Sequence, residues 1–447
     1  MNSEIKEIAY PNGEIQRVQM IRLEDWKQLE FLRLPYAEVS LKCFSDIYRE
    51  YLVPGCPWIF GNMVMFHLPE DVDIPFPMAD KKYGAVSDRL TAAAIGLRNG
   101  VSVIGGKPKF RTPEAKTFWE TLEKRNSLHV IRGRLPVTTI IPVGNTTGYL
   151  SQTCPDAAMK VNASFFIMDR FDCATAYDRV GTPLGLCVKD GLVTNPPLFG
   201  REALLVKRSG AVMIEQPELN QLDMEIGGIR YIPGKNARIF TRPQCAVTPR
   251  CKGKKLVIIG CQVAAVCDAG KVAVPASGFV LCPEGECHAK AGDPVIYHGM
   301  EDVIFGIQVG NSILRDGEKT MGFRSRFYNL KGLEPVAFPP SLYPLDFEKA
   351  RAARIALGAD AVGKPVILWA EGKGKLRYTP GKDSCGASLS EMAHICADAG
   401  MVNAVNLDGG GSAQILLNNK RSLMISDRNK TDNTEAERPI PLGLMVR

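Results

Sequence analysis

The residues best suited to chemistry lie together at 406–412, Asn406-Leu-Asp-Gly-Gly-Gly-Ser412. An apolar run from Val402 to Leu407 carries Asp408 into three glycines and a serine. A second apolar run, Ala413 to Leu417, follows at once. The pattern predicts strand, tight turn, strand, closed as a hairpin in the core. Glycine loses more backbone entropy on folding than any other residue, so a triplet weakens such a hairpin. The compensation expected is close approach of something to the backbone. A carboxylate, a hydroxyl and several bare N–H groups in one turn suit a sugar or an anion. A tight hairpin with an ordinary aspartate at its turn is the plainer alternative.

The preceding segment must position this turn. Ser388-Leu-Ser-Glu391 reads as a capping box, with serine at the N-cap and glutamate three residues on. Apolar residues at 389, 392, 393, 396 and 399 recur at helical spacing, and Gly400 is a fitting stop. The unit expected is a helix over 388–399, a short turn, a buried strand over 402–407, then the glycine loop.

Residues 384–393, Ser-Cys-Gly-Ala-Ser-Leu-Ser-Glu-Met-Ala, followed by 406–412, resemble the phosphodiester glycosidase family. Four further stretches resemble family segments in the family's order: Val161-Asn-Ala-Ser-Phe-Phe166, Gly310-Asn-Ser-Ile-Leu-Arg-Asp-Gly317, Ala353-Arg-Ile-Ala-Leu-Gly358 and Glu371-Gly-Lys373. The resemblance spans about residues 130–447, and the Asp-Gly-Gly-Gly-Ser element is its most specific part. The chain also departs from the family. Ala163 and Ser164 replace two glycines after Asn162, and Asn311 and Ser312 stand where the family has glycine and proline. Glu371 replaces aspartate, and Lys373 replaces an arginine with its bidentate fork.

The resemblance implies hydrolysis of a sugar-1-phosphodiester at the sugar C–O bond, releasing free sugar and a phosphomonoester. Such a reaction passes through an oxocarbenium-like transition state and wants a carboxylate near the anomeric carbon. Its phosphate leaving group departs as a stable anion, so recognition of phosphate by guanidinium and converging N–H groups matters more than general-acid help. The implied catalytic residues are Asp408, Glu371 and Arg354, with Arg354 as phosphate clamp. The implied substrate-binding residues are Asn162, Lys373, Gly409, Gly410, Gly411, Ser412, Gly310 and Arg438. Asp408 and Glu371 each end a strand-like run, so both can reach one rim of a sheet. No cofactor and no metal are expected. Two other readings use the same residues: an ordinary glycosidase on a polysaccharide, or a non-catalytic glycan-binding module of a phage or cell-wall assembly.

A chain of 447 residues exceeds one average core, so two domains are expected. The division expected is a mixed α/β region over 1–128 and the catalytic domain over 129–447. Helical periodicity marks 36–51 and 87–99, and Thr112-Pro113 opens a third helix to residue 125. From 129 onward short β-rich runs dominate: 137–143, 184–188, 203–206, 255–259 and 303–309. The fold class expected is α+β, mostly antiparallel sheet with a few packed helices.

Net charge of +7 without a like-charged block disfavours nucleic-acid binding and is compatible with an anionic partner, a phosphorylated carbohydrate or glycan. No nucleic acid and no membrane are expected as partners, since the longest apolar stretch, Trp58 to Leu68, is too short to span a bilayer. No apolar signal region opens the sequence, and thirteen cysteines are an odd number. Reduced thiols and a cytoplasmic location are therefore expected, with signal-independent release or phage association as the alternative. Cys282-Pro-Glu-Gly-Glu-Cys287-His288 lacks the paired spacing of a zinc knuckle. His394, on the expected helix 388–399, reads as a surface residue rather than a base. No Gly-x-x-x-x-Gly-Lys-Ser/Thr loop occurs, which disfavours an NTPase.

Overall fold

The computed structural model describes residues 1–34, 148–167, 177–178, 181–198, 200–241, 248–250, 252–268, 270–310, 312–320, 350–374, 378–429 and 432–447. It also describes the short strands 58–60, 63–65, 101–104 and 107–110, and the helical residues 113, 116, 117 and 120.

Two antiparallel sheets position the glycine turn. The first has seven strands, in the order Asn2–Ala9, Ile15–Arg22, Pro365–Ala370, Arg354–Asp360, Met401–Asn406, Ser312–Arg315 and Glu318–Lys319. The second has four, in the order Ile415–Leu417, Met159–Asn162, Leu442–Val446 and Glu30–Arg33. Alternation along the strands decides what each face buries. Ile355, Leu357, Ile367, Trp369 and Val405 from the first sheet share one buried cluster with Met159, Val161, Ile415, Leu442 and Leu444 from the second. The five-stranded sheet built around Ala203–Lys207 and Val303–Gln308 closes this core with Leu204, Val206, Phe305 and Ile307.

The other face of the seven-stranded sheet is covered by the helix Leu389–Asp398. Leu389, Met392, Ala393 and Cys396 pack on Ala356, Val366, Leu368, Ala370 and Ala404. This helix starts as its sequence predicts. The Ser388 hydroxyl accepts from the Glu391 amide at 3.2 Å, and the Ser388 amide donates to Glu391 Oε2 at 2.8 Å. Arg351 then grips the same glutamate through Nε at 3.0 Å. His394 is exposed on this helix and meets Lys319. The fold is thus mostly antiparallel sheet, with this helix as the α-element seen whole among the described residues.

Two expectations are corrected. Residues 402–407 and 413–417 do not form a hairpin: Met401–Asn406 lies in the seven-stranded sheet and Ile415–Leu417 in the four-stranded one. The glycine triplet is a crossover between sheets, because both runs are buried and each finds partners on its own side of the shared core. The boundary at 128 does not hold for residues 2–33. Ile15–Arg22 pairs with Pro365–Ala370, and Glu30–Arg33 pairs with Leu442–Val446. These strands complete the two sheets because Val18 enters the helix-covered face and Ile21 the inter-sheet core. Of the helix expected over 113–125, residues 113, 116, 117 and 120 are helical. The helices expected at 36–51 and 87–99 and the strand at 137–143 lie outside the described residues. The other expected strands appear as Cys187–Lys189, Ala203–Lys207, Lys255–Ile259 and Val303–Gln308.

Candidate active site

The crossover is built at one rim of the seven-stranded sheet. Antiparallel pairing brings the start of Arg354–Asp360, the end of Pro365–Ala370 and the end of Met401–Asn406 to the same edge. Ala356 faces Asn406 in register, and the Leu407 amide donates to the Ile355 carbonyl at 2.9 Å. Asp408 follows two residues after Asn406, and Arg354 opens the neighbouring strand. The turn is then fastened to this edge: the Gly410 amide donates to the Ala353 carbonyl at 2.8 Å.

Each glycine of the turn has its own reason. A Cβ on Gly409 would lie 2.7 Å from the Ala353 carbonyl oxygen. Gly410 has φ of +59°, in the left-handed region. A Cβ on Gly411 would collide with the Asp427 carboxylate and the Arg438 guanidinium. Gly410–Ser412 make one 3₁₀ turn, after which the chain enters the four-stranded sheet.

Asp408 sits 6% exposed at the head of this turn. Its amide donates to the Ala163 carbonyl at 3.0 Å, and its carbonyl accepts from Asn162 Nδ2 at 2.6 Å. Burial pushes its carboxyl up to about 6, opposed by the nearby Ser412 hydroxyl, the Arg438 guanidinium and the Gly409 amide. The opposition is incomplete, since neither Asp408 Oδ2 nor Ser412 Oγ has a formed hydrogen bond. A buried carboxylate oxygen without a partner costs free energy, and such groups cluster where a ligand or reaction uses them.

Glu371 is placed differently from expectation. It reaches the same rim, but alternation from Ala370, which pairs with Arg354, sets it out of step with Arg354 and Asp408. Both its oxygens are engaged by the protein. Oε1 accepts from the Met424 amide at 2.7 Å, and Oε2 accepts from Ser384 Oγ at 2.5 Å and pairs with Arg17 Nη1 at 3.5 Å. Its geometry is that of a brace between the N-terminal strand, the segment before the helix and the segment after Leu423.

Asn162 clamps the crossover. Its Nδ2 holds the Asp408 carbonyl, and its Oδ1 accepts from the Gln414 amide at 3.0 Å. One side chain of the four-stranded sheet thereby fixes both ends of the crossover. Gly310 also acts through its backbone, donating to the Asn406 carbonyl at 2.8 Å. Arg354 is buried, and its Nε and Nη2 donate to the Ala387 and Ala350 carbonyls at 3.1 and 2.9 Å. Its Cδ lies 3.8 Å from where a Cβ on Gly409 would stand. Arg438 donates to Asp427 Oδ2 through Nε at 2.9 Å and Nη2 at 2.8 Å, against Gly411. Lys373 is exposed, with its Nζ 4.2 Å from the centre of the Tyr378 ring. The structure thus gathers Asp408, Gly409, Gly410, Gly411, Ser412, Arg354 and Arg438 around one turn. It sets Glu371, Asn162 and Gly310 in supporting positions and Lys373 apart against Tyr378.

Sequence reasoning passed over three participants. Asn406 is wholly buried, and neither its Oδ1 nor its Nδ2 has a partner. Gln414 is buried with Nε2 unpartnered. Asp427 is the carboxylate that orients Arg438. The signal for the first two was available: each is an amide inside an apolar run. Among the described residues no group of three or more His, Cys, Asp or Glu side chains is arranged to hold a metal ion. Cys154, Cys187, Cys261, Cys267, Cys287, Cys385 and Cys396 are free thiols, and Cys245 and Cys251 lie outside the described residues.

Comparison with known proteins finds similarity in the C-terminal part of the chain. Residues 271–447, which hold Arg354, Asp408, the glycine turn and Arg438, match the family model for phosphodiester glycosidase. The mouse N-acetylglucosamine-1-phosphodiester alpha-N-acetylglucosaminidase is 37% identical over 81 residues, 18% of this chain and 14% of that protein. The human protein of the same name is 38% identical over 81 residues, with the same coverage. The match therefore spans a small part of these relatives' length. A solved structure of the zebrafish protein's catalytic domain aligns over 100% of this chain and 82% of that one, at 14% identity and a TM-score of 0.39. The segment that carries the buried aspartate and its glycine crossover, within residues 271–447, is thus similar to the phosphodiester glycosidase family.

Proposed function

We propose that this protein is a glycoside hydrolase that cleaves the sugar C–O bond of a sugar-1-phosphodiester, giving free sugar and a phosphomonoester. The observation that carries this reading is the asymmetry between the two expected carboxylates. Asp408 keeps one oxygen without a partner and a carboxyl raised to about 6, whereas both oxygens of Glu371 are engaged. An ordinary glycosidase needs two working carboxyl groups, one of them to protonate an alkoxide leaving group. A phosphomonoester leaves as a stable anion, so one carboxylate suffices on the sugar side. That favours the phosphodiester over the polysaccharide.

In this reading the ionised Asp408 acts at the anomeric centre, as nucleophile or as base for water. Its raised value brings proton affinity closer to neutrality than an exposed aspartate would have. Arg354 and Arg438 supply positive charge beside the turn, and the amides of the glycine turn with the Ser412 hydroxyl offer donors to developing negative charge. The sheet rim preorganises these groups, because Asn162 and the Ala353 carbonyl fix the turn before any ligand arrives.

The test is hydrolysis of a panel of sugar-1-phosphodiesters in ¹⁸O-labelled water, with products identified by mass. The label is expected on the anomeric hydroxyl. Label in the phosphate would mean P–O cleavage and would overturn the mechanism.

A further inference from the structure

We infer that Asn406 is a specificity residue that binds two neighbouring hydroxyls of the glycosyl unit; this rests on the reading of the turn as a sugar site. The residue ends the strand Met401–Asn406 and is 0% exposed. Its backbone carbonyl accepts from the Gly310 amide at 2.8 Å. Its side-chain Oδ1 and Nδ2 both lack partners. A primary amide buried with neither group bonded destabilises a fold, and apolar neighbours such as Ala404 and Ala356 show that this face takes hydrocarbon readily.

The amide does not stand alone. Asp408 Oδ2, Ser412 Oγ and Gln414 Nε2 are buried and unpartnered within the next eight residues. Alternation places Asn406 on the face opposite Val405 and Leu407, both of which enter the inter-sheet core. Asp408 follows two residues later, at the head of the glycine turn. The unpartnered amide of Asn406 thus lies two residues along the chain from the carboxylate assigned to the anomeric centre.

The chemistry of the amide selects the ligand group. It offers one N–H and one C=O side by side and needs a partner with an acceptor and a donor side by side. Two vicinal hydroxyls provide that pair. A secondary amide does not, because its trans geometry points N–H and C=O in opposite directions. Asn406 therefore reads adjacent hydroxyls rather than an acylamino group.

The test uses the full chain and its Asn406→Leu and Asn406→Ser variants. Calorimetry measures binding of hexose 1-phosphates and of their monodeoxy analogues. Wild type is expected to bind at least one hexose 1-phosphate and to lose at least ~10-fold in affinity when one of the paired hydroxyls is removed. The Asn406→Leu variant is expected to bind at least ~10-fold more weakly, to be indifferent to that deoxygenation, and to melt no lower than wild type. Variants that bind like wild type would overturn the assignment. So would loss of folding in both variants, or failure of wild type to bind any hexose 1-phosphate. Binding that depends on Asn406, together with no hydrolysis of any sugar-1-phosphodiester, would sink the proposed reaction and leave this inference standing.

Discussion

At the scale of the residue, the site turns on how differently two buried carboxylates are kept. Asp408 is held in its folded state at about 6, above its ordinary value of 3.8, because burial outweighs Ser412, Arg438 and the Gly409 amide. Between those two values the folded chain keeps a proton that the unfolded chain has released. Asp408 therefore lowers stability progressively as pH rises from about 4 to above 6, by roughly 3 kcal/mol for a shift of about two units. The melting temperature of Asp408→Asn is expected to exceed that of wild type at pH 8 and to approach it near pH 4. Glu371 has a bracing role instead. Its carboxylate oxygens accept from the Met424 amide and the Ser384 hydroxyl and pair with Arg17. Glu371→Gln is expected to lose about 1–3 kcal/mol of stability while the folded enzyme keeps kcat within about tenfold. A catalytic collapse with unchanged melting would return Glu371 to the reacting centre.

At the scale of the element, the glycine crossover explains both the motif and its limits as a signal. Three glycines were legible as close backbone approach, and the approach is made by the protein itself: the Ala353 carbonyl at Gly409 and the Asp427–Arg438 pair at Gly411. The hairpin expectation failed because two short apolar runs flanking glycine do not say whether they join one sheet or two. Helix 388–399 was legible because its cap, its apolar stripe and its stop are all local. The strand Ile15–Arg22 was not, since buried Gln16 and Gln19 interrupt its alternation. The crossover yields a graded expectation. Gly410→Ala should cost about 1–2 kcal/mol for a left-handed φ and leave the rate nearly unchanged, because open space surrounds that position. Gly411→Ala should cost a similar 1–3 kcal/mol but cut kcat at least ~10-fold by displacing Arg438. Thermal melts and initial rates on the two variants separate these outcomes. Equal rate losses would mean that the Asp427–Arg438 pair does not matter to the reaction.

At the scale of the whole molecule, residues distant in sequence converge on one turn. Asn162 comes from the second sheet, Arg354 from the first, and Arg438 from the approach to the last strand. Arg17 and Gln16, from the N-terminal hairpin, brace Glu371. The sequence motifs named most of these residues but could not assign their roles. Whether an asparagine faces a sugar or a carbonyl depends on a partner 246 positions away. The orphaned amides of Asn406 and Gln414 became visible only when every neighbour was in place. Central to the proposed reaction is the buried Asp408 carboxylate, one oxygen of which has no hydrogen-bond partner. The direct test is kcat of Asp408→Asn on a sugar-1-phosphodiester that wild type hydrolyses, with folding verified by its melt. The account expects a loss of at least ~10² in rate in a chain that melts no lower than wild type. A folded Asp408→Asn enzyme with near-wild-type kcat would contradict it.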